Sequence, residues 1–219
     1  MGNTVSFILS LSVVFSVIIG IVRWKVIDSS YYPFICNLIV GLLVEIINAS
    51  HPYSVVTVKT LNIFSFIDFF LFAWLFHNWG LFNYNKKRFL MIVCAFGIAW
   101  LFITFFLNKF SNINNLFLLI YSAALIFLSV TTFNKIVVQQ RINIFTNARF
   151  WICIGIIIFY SFFILTRATD LSTGVLTHVS KSFKLNLQLI NSYSNVLVNL
   201  LYAVAVIWIP RKKNITSLF

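Results

Sequence analysis

Residues 89–107 read FLMIVCAFGIAWLFITFFL, a run without one charged side chain. A membrane-spanning α-helix needs about 20 mostly apolar residues, and this run supplies them. Its apolar residues follow one another without the alternation of a barrel strand, so the run is read as a helix. The pattern recurs on either side. Apolar runs cover about residues 5–22, 34–50, 58–82, 89–107, 115–138, 150–166 and 185–209. They predict an all-α polytopic membrane protein of seven transmembrane helices, a single domain over 1–219 with no soluble domain.

Composition agrees. Of 219 residues, 61% are hydrophobic and only 9% charged, with 26 Phe and a mean hydropathy of +0.98. An ordinary soluble domain carries about 25% charged residues. A soluble globule, a disordered chain and a nucleic-acid-binding domain are therefore excluded, and the lipid bilayer is the expected surrounding. The breaks between runs carry turn chemistry. Asp28-Ser29-Ser30 with Pro33 can start the second helix, Asn83-Tyr84-Asn85 follows the third, and Pro210 ends the seventh. The amino-terminal run lacks a basic leader, which argues against a cleaved signal peptide. The myristoylation pattern at Gly2 to Ser6 is read as chance.

Orientation follows from the basic residues. One side holds Arg23, Lys25, Lys86, Lys87, Arg88, Lys135, Arg141, Arg149, Arg211, Lys212 and Lys213. The other holds Lys59, Lys109, Arg167, Lys181 and Lys184. Eleven against five puts the first set in the cytoplasm, with the N-terminus outside and the C-terminus cytoplasmic. Trp24, Trp79, Trp151 and Trp208 fall at the same helix ends, as an interfacial belt would.

Polar groups within the spans are the candidates for function, because intramembrane charges are costly. Glu45 in the second helix and Asp68 in the third lie roughly 9 and 13 Å below the outer helix ends, at 1.5 Å per residue. Asn37, Gly41, Glu45 and Asn48 share an arc of about 80° on the second helix. Gln188, Asn191, Asn195, Asn199 and Tyr202 do the same on the seventh, with Ser192 beside them. Asn62, Ser65 and Asp68 span a wider arc on the third. Such stripes predict an outward-facing polar pocket between helices 2, 3 and 7. Lys59, Arg167 and Lys184, at outer helix ends, are possible ion-pair partners for Glu45. The bland alternative is that these groups only bond helix to helix.

Other chemistry is not legible. Cys36, Cys94 and Cys153 lie inside apolar runs, neither a disulfide framework nor a metal-ligand spacing, so no metal is expected. His77 reads as an interfacial histidine. Residues 193–209 hold no lysine, which excludes a retinal Schiff base, and Asn199-Leu200-Leu201-Tyr202 lacks the proline of the G-protein-coupled receptor signature. No H-E-x-x-H or G-x-S-x-G motif is present, so no catalytic residue or cofactor is assigned. A lipid-modifying enzyme built on Glu45 and Asp68 stays as a minor alternative.

Three stretches carry a resemblance: RWKVIDSSYYPFICNLIVGLLVE from Arg23 to Glu45, FHNWGLF from Phe76 to Phe82, and NLLYAVAVIWIPRK from Asn199 to Lys212. They resemble a group of small uncharacterised seven-helix bacterial membrane proteins, often encoded beside two-component sensor kinases. The resemblance implies a multi-pass protein of the bacterial inner (cytoplasmic) membrane with a sensor kinase as protein partner, and implies no site residues. The expected function is a non-enzymatic sensory or accessory module acting through a partner. A small-solute or ion transporter or channel using the same stripes, or a structural subunit of a membrane complex, are the alternatives.

Overall fold

Helix follows helix along the described residues. The computed structural model describes residues 11–50, 55–107, 112–139, 144–169 and 181–212. Among these, seven α-helices form: α1 (Val13–Arg23), α2 (Tyr32–Ser50), α3 (Val55–Asn78), α4 (Lys86–Leu101), α5 (Asn115–Gln139), α6 (Ala148–Ala168) and α7 (Lys181–Trp208). A π-helical turn, Phe102–Leu107, prolongs α4. Six helices are long and apolar enough to cross a membrane, compatible with a multi-pass membrane protein. The exception is α1, apolar but shorter in its described part; residues 5–10 of the expected first span lie outside the described residues.

Apolar side chains cover much of the outside. Val22, Phe106 and Phe127 are 77%, 74% and 71% exposed, an arrangement that costs about 25 cal/mol per Å² in water and nothing comparable in lipid. The interior is held by Phe34, Phe69, Phe76, Phe117, Ile152, Ile156 and Val198, all fully buried. Helices adjacent in sequence pack as α2–α3, α5–α6 and α6–α7, while α1 lies against α2 and α7. The most peripheral helix is α4, with no fully buried residue.

Several boundaries differ from the hydropathy reading. The third helix stops at Asn78 rather than running to residue 82, because Gly80 takes φ +78°. Its N–H donates to the His77 carbonyl and that of Leu81 to the Phe76 carbonyl, a Schellman closure that glycine favours. Asn83 and Tyr84 continue in the left-handed region (φ 51° and 53°), and the Asn85 side chain then caps α4 by accepting from the Lys87 and Arg88 N–H groups. The seventh helix starts at Lys181, ahead of the expected residue 185. Asp28 caps a 3-10 turn, Ser29–Tyr31, and not α2 itself, by accepting the Ser30 N–H at 2.8 Å. That bond holds the Asp28 carboxyl below the usual carboxylate range. Because the folded group binds its proton less readily, the cap contributes stability above the ordinary carboxylate pKa and loses it as pH falls through the lowered value. In Asp28→Asn, the amide oxygen still caps, so acid sensitivity in pH-dependent melting should shrink.

One end of the bundle is tied by Arg23. Its guanidinium donates to the Val206, Ile207 and Ile209 carbonyls, the last two at 2.6 and 3.0 Å. These are carbonyls at a helix C-terminus, which lack partners within the helix. Nearby, Asp28 N–H donates to the Pro210 carbonyl and Lys212 N–H to that of Val26. Arg149 stacks over Trp79, and Lys212 over Tyr32. Substituting Arg23→Gln should cost about 1.5–3 kcal/mol, the scale of one charged hydrogen bond, read as a lower melting temperature in detergent.

Candidate functional site: a cavity floored by Asp68

Asp68 is 3% exposed, midway along α3. Its Oδ1 accepts from Asn37 Nδ2 of α2 at 2.7 Å, and its Oδ2 accepts from the Tyr160 hydroxyl of α6. The Tyr121 hydroxyl of α5 acts on the same carboxylate. Rings surround the group: Tyr160 meets Tyr121 edge-on at 5.8 Å, Phe72 at 6.2 Å and Phe159 at 5.0 Å. One acid thus gathers donors from three other helices, all of them neutral.

Above this floor lies a cavity of about 1080 Å³. It runs from the level of Asn37, Asp68 and Tyr202 to that of Ala49, Thr57, Arg167 and Asn191, a length of about 18 Å along α2. Beyond it along the same helices, Phe34, Phe76, Ala205 and Val206 are fully buried apolar side chains. The walls are mostly apolar, with a few converging polar groups, which is the usual make-up of a small-molecule pocket.

The expected candidates divide. Glu45 and Asn48 of α2, Asp68 of α3, and Asn191, Asn195, Asn199 and Tyr202 of α7 line the cavity. Arg167 lines it too, its guanidinium over the Phe163 ring at 5.0 Å. Asn48 Oδ1 and Asn191 Oδ1 are buried and, among the described residues, accept no hydrogen bond. Asn199 also ties α7 to α1: its Nδ2 donates to Ser12 Oγ at 2.8 Å, and its carbonyl accepts from Ser16 Oγ. The ring of Tyr202 packs edge-on against Phe34 at 5.1 Å.

Three candidates lie elsewhere. Asn62 is 1% exposed but outside the cavity lining; its Nδ2 donates to the Asn112 carbonyl and its Oδ1 accepts from Asn114 N–H, both at 3.0 Å. Its own carbonyl accepts from Trp100 Nε1, so Asn62 fastens α3 to α4 and to the start of α5. Lys59 and Gln188 are exposed and do not line the cavity. The wider angular spread of Asn62 on α3 foreshadows its different direction. For Lys184 the helix is described, but the side chain lies outside the described residues.

The tyrosines at 121 and 160 are the groups that hydropathy reading overlooks. Both sit inside long apolar runs, where a phenol needs a partner for its hydroxyl, and that need was the available signal. Asn37 falls on the α2 polar stripe, and its pairing with Asp68 follows from the packing of α2 on α3. Among the described residues no group of three or more His, Cys, Asp or Glu side chains is placed to hold a metal. Comparison with known protein families, curated proteins and solved structures finds no match.

Proposed function

We propose that the chain is a non-enzymatic sensory or accessory module of the bacterial inner membrane, with N-terminus outside and the cavity open to the outer face. A small ligand taken between α2, α3 and α7 would alter their packing, and a partner such as a sensor kinase would read the change. The observation that carries this reading is the convergence of polar side chains from α2, α3, α6 and α7 on one cavity. Ligand binding shifts such packing only by its differential affinity for two arrangements, and Asp68 supplies an element that both can share. Its hydrogen bonds join α3 to α2 on one side and to α6 on the other. A transport path is less favoured, because the residues toward the basic end beyond Asn37, Phe72 and Tyr202, namely Phe34, Phe76, Ala205 and Val206, are apolar and fully buried.

Gly41 offers the test. It lines the cavity, and a Cβ built on it meets nothing within 4 Å. Gly41→Trp should therefore fill the cavity while keeping the melting temperature. Purification from the native host in mild detergent should bring a stoichiometric sensor kinase whose autophosphorylation changes in this variant. A chain that arrives alone, and whose solute uptake stops on Gly41→Trp, would establish transport instead.

A further inference from the structure

The chemistry of the cavity narrows what it takes. The carboxylate of Asp68 is buried at the inner end and accepts hydrogen bonds at both oxygens, and among the described residues the side chains acting on it, Asn37, Tyr160 and Tyr121, are all neutral. Acceptance at both oxygens suits the ionised form, and a buried ion is stable when paired with an opposite charge. Neutral donors satisfy its lone pairs without cancelling its charge. Around it stand the faces and edges of Phe72, Tyr121, Phe159 and Tyr160, and aromatic faces attract cations, most strongly where water is excluded. Further out, Asn48 and Asn191 turn unpartnered carbonyl oxygens to buried positions on opposite walls. All of these groups favour positive charge or hydrogen-bond donors.

Arg167 is the opposing cation. It lies seven residues beyond Tyr160 on α6, about 10 Å along the axis, and is already stacked over Phe163. Glu45 lines the opposite, α2 wall. Asp68 and the rings thus stand at the inner end, and Glu45 and the Arg167 guanidinium toward the outer one.

We infer that the cavity binds a hydrophobic organic cation, an amine or quaternary onium whose charge rests against Asp68 within the aromatic cluster. Its 1080 Å³ volume is far larger than a bare metal ion needs and suits a drug-sized apolar body. This inference rests on the reading of the cavity as a ligand pocket and names the class of ligand.

Tetraphenylphosphonium and tetraphenylborate, of the same shape and opposite charge, test it. Equilibrium dialysis of the purified full chain in dodecyl maltoside measures each ion, with the Gly41→Trp protein giving the share taken up by micelles. The phosphonium should bind saturably, and Asp68→Asn should weaken it at least about tenfold. Lys59→Gln, away from the cavity, should retain all of the affinity. Tetraphenylborate binding as tightly as the phosphonium, or unchanged phosphonium affinity in a folded Asp68→Asn protein, overturns the cation assignment alone. Binding of neither ion overturns both that assignment and the pocket reading.

Discussion

Asp68→Leu should be among the most destabilising substitutions in the chain. Leucine keeps the branched shape, with bulkier methyl groups in place of the oxygens, but accepts nothing, so Asn37 Nδ2 and the Tyr160 hydroxyl lose their acceptor in a buried setting. An unsatisfied buried donor costs about 1–3 kcal/mol, and these two are stranded at once, with the Tyr121 hydroxyl losing the same carboxylate. Asp68→Asn retains an amide oxygen and should cost less than half as much. Thermal unfolding in a mild detergent, followed by circular dichroism, separates the two. The ordering of the variants matters more than either value, since hydrogen bonds between membrane helices often average well under 1 kcal/mol. Equal melting temperatures for the wild type and Asp68→Leu would show that the cage contributes nothing to holding α2, α3 and α6 together.

The second large effect is expected at Gly155. A Cβ there would stand 2.4 Å from Cε1 of Tyr202 and 3.0 Å from Cδ1. The ring has little room to retreat, because its other side packs edge-on against Phe34. Gly155→Val should therefore force α6 and α7 apart, with an overpacking cost of about 1–3 kcal/mol. Pairing it with Tyr202→Ala removes the obstructing ring and should recover part of the loss, a coupling that a double-mutant cycle measures. Purely additive costs would mean that the two residues do not meet.

Much of this arrangement is legible in the sequence, for identifiable reasons. Long runs such as residues 89–107 declare helices because their apolar character is continuous. On α2 and α7 Glu45, Asn48, Asn191, Asn195, Asn199 and Tyr202 fall on shared faces and line one cavity, whereas Gln188 of the same α7 arc is exposed. Hydropathy failed at helix ends, since Trp79, Leu81 and Phe82 are as apolar as a helix interior, and only Gly80 marks the stop. It also failed for Asn62, because the partners that claim its amide, Asn112 and Asn114, are fifty or more residues away and follow from packing alone. The pairing of Asp68 with tyrosines on α5 and α6 has the same cause. No local pattern tells which distant phenol turns toward an acid.

Cysteine accessibility in intact cells tests the central claim most directly. In a background with Cys36, Cys94 and Cys153 replaced by serine or alanine, single cysteines are placed at Asn48 and Asn191 in the cavity, and at Lys87 at the basic end. A membrane-impermeant maleimide added outside should label the first two and spare the third until the cells are opened, and Gly41→Trp should block labelling at Asn48. Labelling of Lys87→Cys in intact cells, with both cavity positions protected, would reverse the orientation and contradict an outward-facing pocket.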